Sequence, residues 1–473
     1  MELVPLSELV AAVHGQVADM AGELQIKRVC TDSRELQRGD LFWALRGETH
    51  DGHDHVTEAL KKGALACVVE HGLSHRMAGP LVRVDDTLAA LADFARWYRH
   101  QRETLIIGVT GSVGKTTTKE MIYSALSEAH RGVRSQKSYN NEIGLPLSLL
   151  ELNAEDEFGV FEMGARQIGE VRALCEIAVP EVGVIPKVGL AHLGSFGSPE
   201  NIYLAKGELL DALPPHGFAV IGGDDERMRE MAVRSMCGAI FVGEKPGNHL
   251  RATEIDVTPQ RLKFLVERKK YEVPGASRQL LTAALCAIAV AREVGLSPGE
   301  IAAGLSRFVP QPGRSQMQTI GSWTVVDDTY NANPTSMHAA CLSLRDWPAS
   351  GPRLFISGDM LELGASAIEL HEELGAIAAG CRFDRVLTVG EFAESVARGA
   401  INAGLPRQSC AVCQNLDVLW LLLECWLAPG AVVLVKGSRA MQMEKVIDWL
   451  KQRATKETSG PNGTIARSRR AVA

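Results

Sequence analysis

Apolar and polar positions follow two rhythms along the chain. Short continuous apolar runs alternate with longer segments in which apolar residues recur every three to four positions, the strand and helix signatures respectively. In residues 1–102 the runs at 28–30, 41–45, 66–69 and 81–84 predict strands, and 88–98 predicts a helix, together a small α/β domain. A stronger run at 104–109 follows, then a glycine-rich turn and a helix predicted over 115–129. Further strands are predicted at 158–162, 182–185 and 218–221, with a helix entering at Ser198-Pro199, where proline suits a first turn. Strands apolar throughout and separated by helices predict a parallel sheet covered on both faces. After Gly223 the pattern shifts toward shorter strands, and an apolar helix over 280–294 closes the block. Pro310-Gln-Pro-Gly313 reads as a hinge. Beyond it, runs at 323–326, 354–357, 386–389 and 431–435 alternate with helices and predict a Rossmann-like αβα domain. The most apolar stretch, 416–427, carries Asp417 and Glu424 and is expected to be a buried helix. Residues 456–473 are polar and basic, and are expected to form a disordered tail.

Length agrees with this partition: 473 residues at about 150 per domain suggest three domains. The expected boundaries are 1–102, 103–312 and 313–455. Lys and Arg number 50 against 57 Asp and Glu, a net charge of −7, which argues against a nucleic-acid binder needing a basic face. No apolar stretch is long enough to span a membrane. The first residues lack a basic region followed by an apolar core, so a cytoplasmic protein is expected. Ten scattered cysteines include one CxxC pair, Cys410 and Cys413, without a second pair or clustered histidines, which reads as reduced thiols.

The strongest chemistry lies at the end of the 104–109 run, in Gly108-Val-Thr-Gly111-Ser-Val-Gly114-Lys115-Thr116-Thr117. Between a strand and a helix, this is the place of a phosphate loop. Glycines let backbone N–H groups approach phosphate oxygens, the helix dipole adds to the attraction, and Lys115 reaches the outer phosphates. Thr116 is placed to bind Mg²⁺ through its hydroxyl. Val109 stands where the strict motif has glycine, so this is a variant loop. The middle block thus becomes a P-loop-type ATPase domain. Glu162 ends a predicted strand, as a magnesium ligand or an ordinary strand-end acid. His192 reads as a second-metal ligand or a core histidine, and Lys206, by spacing alone, as a surface lysine.

Five segments occur in the order found in the Mur ligases: Thr110–Thr117, Tyr139-Asn-Asn-Glu-Ile-Gly-Leu-Pro146, Glu162-Met-Gly-Ala165, Ala191-His-Leu-Gly194 and Ala205-Lys-Gly-Glu208. The chain resembles this family of ATP-dependent amide-bond-forming enzymes over about residues 25–450. The segments Asp327-Asp-Thr-Tyr-Asn-Ala-Asn-Pro-Thr-Ser-Met337, Gly358-Asp-Met-Leu-Glu-Leu-Gly364 and Val435-Lys-Gly-Ser-Arg-Ala-Met441 resemble the branch that joins D-alanyl-D-alanine to UDP-N-acetylmuramoyl-tripeptide. The Asp-Asn-Pro-Arg motif of the diamino-acid-adding branch is absent. Thr31-Asp-Ser-Arg34, Gly39-Asp-Leu-Phe42 and Asp51-Gly-His-Asp54 fit the family's nucleotide-sugar domain.

The resemblance implies roles. ATP binds Thr110, Gly111, Ser112, Val113, Gly114, Lys115, Thr116 and Thr117, with Arg314 and Asp328 reaching it from the C-terminal domain. Two Mg²⁺ sites are implied, one at Thr116 and Glu162 and one served by His192 and Lys206, the lysine being carbamylated. That modification requires a neutral amine, so Lys206 is expected in a site that depresses its pKa. Tyr330, Asn331 and Asn333 face D-Ala-D-Ala, and Ser33 and Arg34 the uridine nucleotide. A monomer is implied. Three segments depart from the family pattern: Lys187-Val-Gly before Ala-His-Leu, Arg166-Gln-Ile after Met163, and Gln279-Leu280 followed by Ala283-Ala-Leu285 on the adenine side. Two alternatives stay open: a folylpolyglutamate-type ligase with another acceptor, and a nucleotide-binding homologue without ligation.

Overall fold

The apolar runs become the central strands of three sheets. The computed structural model describes residues 1–17, 24–47, 49–74, 79–136, 138–345 and 347–459. The first unit holds a five-stranded sheet in the order Gln16–Val17, Leu81–Val84, Ala66–Glu70, Leu41–Trp43, Val29–Cys30, parallel except at its first pair. A short antiparallel pair, Val4–Pro5 with Gln25–Ile26, lies apart from it. The helix Thr87–His100 starts where the Asp86 carboxylate accepts from Leu88 N and Ala89 N, satisfying free amides of its first turn. The helix also ties this unit to the next. Tyr98 donates to the Leu152 carbonyl (2.6 Å), and Arg99 pairs with Glu181 (2.8 Å).

The second unit is built on nine strands, in the order Lys269–Pro274, Arg261–Val266, Leu250–Val257, Gly238–Gly243, Phe218–Gly222, Val182–Ile185, Leu105–Val109, Phe158–Glu162, Gly132–Arg134. Pairing is parallel from Leu250–Val257 to Gly132–Arg134. Lys115–Leu126 and Leu280–Glu293 pack on one face in a continuous apolar core. Pro199–Asp211 and Glu170–Ala178 belong to a second core. Ser198 caps Pro199–Asp211, its hydroxyl accepting from Asn201 N.

The expectation of shorter strands after Gly223 is corrected. Leu250–Val257 has eight residues, and Arg261–Val266 and Lys269–Pro274 have six each, paired as an antiparallel meander. Their buried residues alternate with exposed or half-exposed ones, so no continuous apolar run marks them.

The third unit is a six-stranded sheet, Gln316–Ile320, Trp323–Asp328, Val432–Lys436, Arg353–Gly358, Arg385–Val389, Cys410–Cys413, parallel except for its first pair and covered by helices. Together these sheets make a three-domain α/β architecture. The helix Leu416–Trp426 is not the buried helix expected. Only Leu419 and Leu423 are buried, and Leu421 is 67% exposed. Helix Glu444–Ser459 runs into the segment assigned to the tail, whose remainder, 460–473, lies outside the described residues. All ten cysteines are free. Among the described residues no helix is long and apolar enough to cross a membrane.

Two leucines of one apolar helix should therefore differ sharply. Leu423→Ala is expected to lower stability by ~2–5 kcal/mol through the cavity it leaves, and Leu421→Ala by no more than ~0.5 kcal/mol. Calorimetric unfolding of the two variants checks this.

Candidate active site at the junction of the second and third units

A parallel sheet delivers its strand ends to one edge, where loops form a crevice. Leu105–Val109 and Phe158–Glu162 are neighbours, with Val109 opposite Glu162. The strand ends therefore bring the start of helix Lys115–Leu126 beside the Glu162 carboxylate. Thr116 Oγ1 donates to Glu162 Oε2 (2.6 Å), and Asn140 Nδ2 donates to Oε1 (2.7 Å). Ser135 Oγ accepts from Glu162 N, while Lys119 Nζ donates to the Ser135 carbonyl (2.6 Å).

The loop before the helix needs its glycines. Gly111 has φ +143°, and a Cβ there would come within 2.8 Å of the Lys187 carbonyl oxygen. Gly114, at φ +88°, forms the helix N-cap, a left-handed position that a side chain would strain. Lys115 Nζ turns back to the Gly111 carbonyl (2.8 Å).

Gly111, Gly114, Lys115, Thr116, Asn140 and Glu162 line a cavity of about 660 Å³. Among the residues picked out by sequence, Gly111, Ser112, Val113, Gly114, Lys115, Thr116 and Thr117 border it. So do Glu162, His192 and Lys206 from the second unit and Arg314, Asp328, Tyr330, Asn331 and Asn333 from the third. Thr110 does not border it: its hydroxyl is buried and donates to the Met163 carbonyl (2.7 Å). Ser33 and Arg34 lie outside it as well. Arg34 is a surface residue paired with Asp32 (2.6 Å), which holds that carboxyl down at about 2, and the Ser33 carbonyl accepts from Lys62 (2.8 Å).

Contacts cross the cavity. Arg314 lies over the Tyr330 ring, 3.9 Å from its centroid, and the Tyr330 hydroxyl meets Ser138 Oγ. Asn333 caps helix Pro334–Arg345 through Ser336 N (2.8 Å), and its amide reaches the Ser112 carbonyl at 3.5 Å. Lys436, 3% exposed, pairs with Asp328 (2.7 Å) and donates to the Asn331 carbonyl (2.8 Å), pinning the 328–331 loop.

Lys206 lies in a site that depresses its pKa, as the family resemblance implies, and not on the surface as spacing alone would have it. It is 2% exposed, its Nζ donating to the Ala165 carbonyl (3.2 Å) and lying 5.5 Å from the centre of the Phe196 ring. Burial, reinforced by the nearby Lys115 charge, pulls its ammonium down to about 7. Lys115 is lowered too, by burial and then by Arg314, against the attraction of Glu162. His192 is lowered chiefly by burial, with the Glu362 carboxylate at Nδ1 pulling the other way.

Two of the departures do not bear on this cavity. The Lys187 side chain is exposed and outside the lining, while its carbonyl accepts from Ser112 N (2.9 Å). Ala283 is buried in the helix core. Gln279 and Arg166 do border the cavity. Sequence reasoning singled out neither Asn140, Ser138, Glu362 nor Lys436. Each lies in or beside a recognisable segment, but only packing shows which side chains of that segment turn inward.

Family comparisons agree with this construction. The description "Mur ligase family, catalytic domain" matches residues 25–99, "Mur ligase middle domain" 109–291, and "Mur ligase, glutamate ligase domain" 313–439. The chain belongs to the Mur ligase family. Within that family it is 36% identical to the UDP-N-acetylmuramoyl-tripeptide–D-alanyl-D-alanine ligase of Treponema pallidum (strain Nichols), covering 94% of this chain and 98% of the relative. Identity to the enzyme of the same name from Escherichia coli (strain K12) is 32%, covering 96% and 99%. Among solved structures, MurF from Acinetobacter baumannii superposes with a TM-score of 0.87 at 31% identity, covering 96% of this chain and 99% of that one. MurF ligase from Thermotoga maritima in complex with ADP gives 0.80 at 29% identity, covering 91% and 98%.

The depressed ammonium at Lys206 has a chemical signature. Its neutral fraction should rise through pH ~7, against ~10.4 for an ordinary lysine. Mass-spectrometric mapping of cyanate modification across pH 6–9 should show Lys206 reacting with a midpoint near 7. A midpoint with the surface lysines contradicts the burial-driven shift.

Proposed function

We propose that this chain joins D-alanyl-D-alanine to UDP-N-acetylmuramoyl-tripeptide at the expense of ATP, in the cytoplasmic stage of peptidoglycan precursor synthesis, acting as a monomer. The observation that carries the reading is the shared cavity. A phosphate cradle from the second unit and an acceptor-side loop from the third border one space, so a phosphorylated carboxylate can form and be attacked without leaving it.

ATP lies with its phosphates at Gly111–Thr117, where helix Lys115–Leu126 directs its N-terminal amides and dipole. Lys115 neutralises charge on the transferring phosphoryl group. The γ-phosphoryl passes to the tripeptide carboxylate, giving an acyl phosphate and ADP. The dipeptide amine then attacks the acyl carbon, and phosphate leaves from the tetrahedral intermediate with the amide bond formed. Both steps are dominated by positioning and charge stabilisation. Arg314, held over the Tyr330 ring, brings a second cation to the phosphates. Tyr330, Asn331 and Asn333 position the dipeptide, with Lys436 and Asp328 holding their loop.

Mg²⁺ fits the donor set. The Thr116 hydroxyl and Glu162 carboxylate are hard oxygen donors already within 2.6 Å of each other beside the phosphate cradle. Among the described residues no group of three or more His, Cys, Asp or Glu forms a complete metal cage, which suits an ion that keeps waters and phosphate oxygens as ligands. When bound, the ion neutralises charge between the β- and γ-phosphates. His192 and Lys206 serve the second site. The lysine, neutral near physiological pH, adds its amine nitrogen to CO₂ and releases one proton, so that a neutral amine becomes an anionic carbamate, a carboxylate-like oxygen donor. Ser33 and Arg34, outside the cavity, hold the uridine diphosphate end of a long substrate. We assign residues 1–102 to that task, 103–312 to ATP and metal, and 313–455 to the acceptor.

Phosphate release from ATP should require both UDP-MurNAc-tripeptide and D-Ala-D-Ala. Lys206→Ala and Glu162→Gln should each lower turnover by ~10²-fold or more, with added bicarbonate failing to restore Lys206→Ala. Release independent of the dipeptide, or near-normal turnover in Lys206→Ala, refutes the assignment.

A further inference from the structure

The segment following strand Val182–Ile185 belongs by chain to the second unit but is docked into the third. Leu190 and Leu193 pack against the third unit's apolar core. Leu190 N donates to Thr335 Oγ1 (3.0 Å), and Gly194 N donates to the Glu362 carbonyl (2.8 Å). A Cβ at Gly194 would lie 2.9 Å from Gly364 N, so the two backbones are in direct contact. On each side of this contact a residue with a Cβ sits in the left-handed region, His192 at φ +55° and Glu362 at φ +62°. Such backbones persist where the surroundings impose them.

The consequence is one side-chain contact across the junction. The Glu362 carboxylate meets the buried His192 Nδ1 in a close charge contact that lacks the geometry of a formed hydrogen bond. Arg166 stands 3.9 Å from the same carboxylate. An imidazole that binds a metal needs its other nitrogen protonated and held, so that the ligating nitrogen is unprotonated and aimed; a carboxylate is a usual partner. Here the carboxylate is 43% exposed and does not sit there because burial forces it. It is placed by the docked backbone, and it comes from a different unit from the imidazole.

We propose that Glu362 is a positioning residue for the cation site at His192, supplied by the third unit, so that this site is complete only when that unit is seated. The inference rests on the ligase reading, in which His192 serves a divalent cation. Linkage makes the effect reciprocal: a cation held better in the seated arrangement also favours seating. The metal site and the acceptor-binding unit would then be coupled through one carboxylate.

The test is Mn²⁺ binding to the full chain, followed by electron paramagnetic resonance with a non-hydrolysable ATP analogue present. Glu362→Gly suits it because glycine accepts the positive φ, so the backbone docking is kept while the carboxylate is lost. Glu362→Gln keeps an oxygen able to accept the Nδ1 proton but removes the charge. Glu362→Gly should weaken one of two Mn²⁺ sites by ~10–100-fold, leave the other site and the unfolding curve unchanged, and raise the Mg²⁺ concentration needed for half-maximal ligation. Glu362→Gln should fall between it and the unsubstituted protein. Unchanged affinity at both sites in Glu362→Gly, with normal ligation by the unsubstituted protein, overturns this inference alone, as does equal weakening of both sites. Failure of the unsubstituted protein to bind two Mn²⁺ ions overturns the two-metal assignment together with it.

Discussion

Cations gathered around one shared cavity are the constraint around which this protein is organised. Lys115, Lys206 and Arg314 border the same space. Burial and mutual repulsion weaken the charged forms of both lysines, to about 7 at Lys206. Like charges held this close persist because the scaffold over-determines them, and an anionic ligand such as a triphosphate relieves the repulsion. The same repulsion, added to burial, leaves the Lys206 amine neutral at a pH where an ordinary lysine is charged.

The acids are distributed to match. Glu162 is engaged by Thr116 and Asn140, which hold both of its oxygens in place. Asp328 is engaged by Lys436 and by Ser315 N, and anchors the loop that carries Tyr330 and Asn331. Each carboxylate thus fixes a wall of the cavity. The walls belong to different units and are joined by contacts that cross between them, among them Tyr330 with Ser138, Asn333 with Ser112, Glu362 with His192 and Gly194 with Gly364.

Much of the fold was legible from the pattern of apolar residues. The runs at 66–69 and 182–185 fall in the strands Ala66–Glu70 and Val182–Ile185, because strands buried on both faces are apolar throughout. The meander over 250–274 was missed for the opposite reason: it exposes alternate residues, and its polar positions interrupt the signal. The apolar content of 416–426 overstated its burial, since composition does not record which side of a helix meets the core.

Sequence alone determined the glycine-rich loop between strand and helix and the order of the family's segments, and it picked out the candidate side chains. These depend on local requirements: glycines where backbone approaches phosphate, a lysine and a threonine at a helix start, an acid at a strand end. Tertiary structure decided which of those side chains share a space. It took the Thr110 hydroxyl and the Lys187 side chain out of the cavity, buried Lys206, brought in Asn140 and Lys436, and set Glu362 against His192. The reason is physical: charge state and reach depend on desolvation and on neighbours hundreds of residues away, and neither is written in local spacing. Lys206 shows it most directly, a surface lysine by spacing whose chemistry is set by the walls around it.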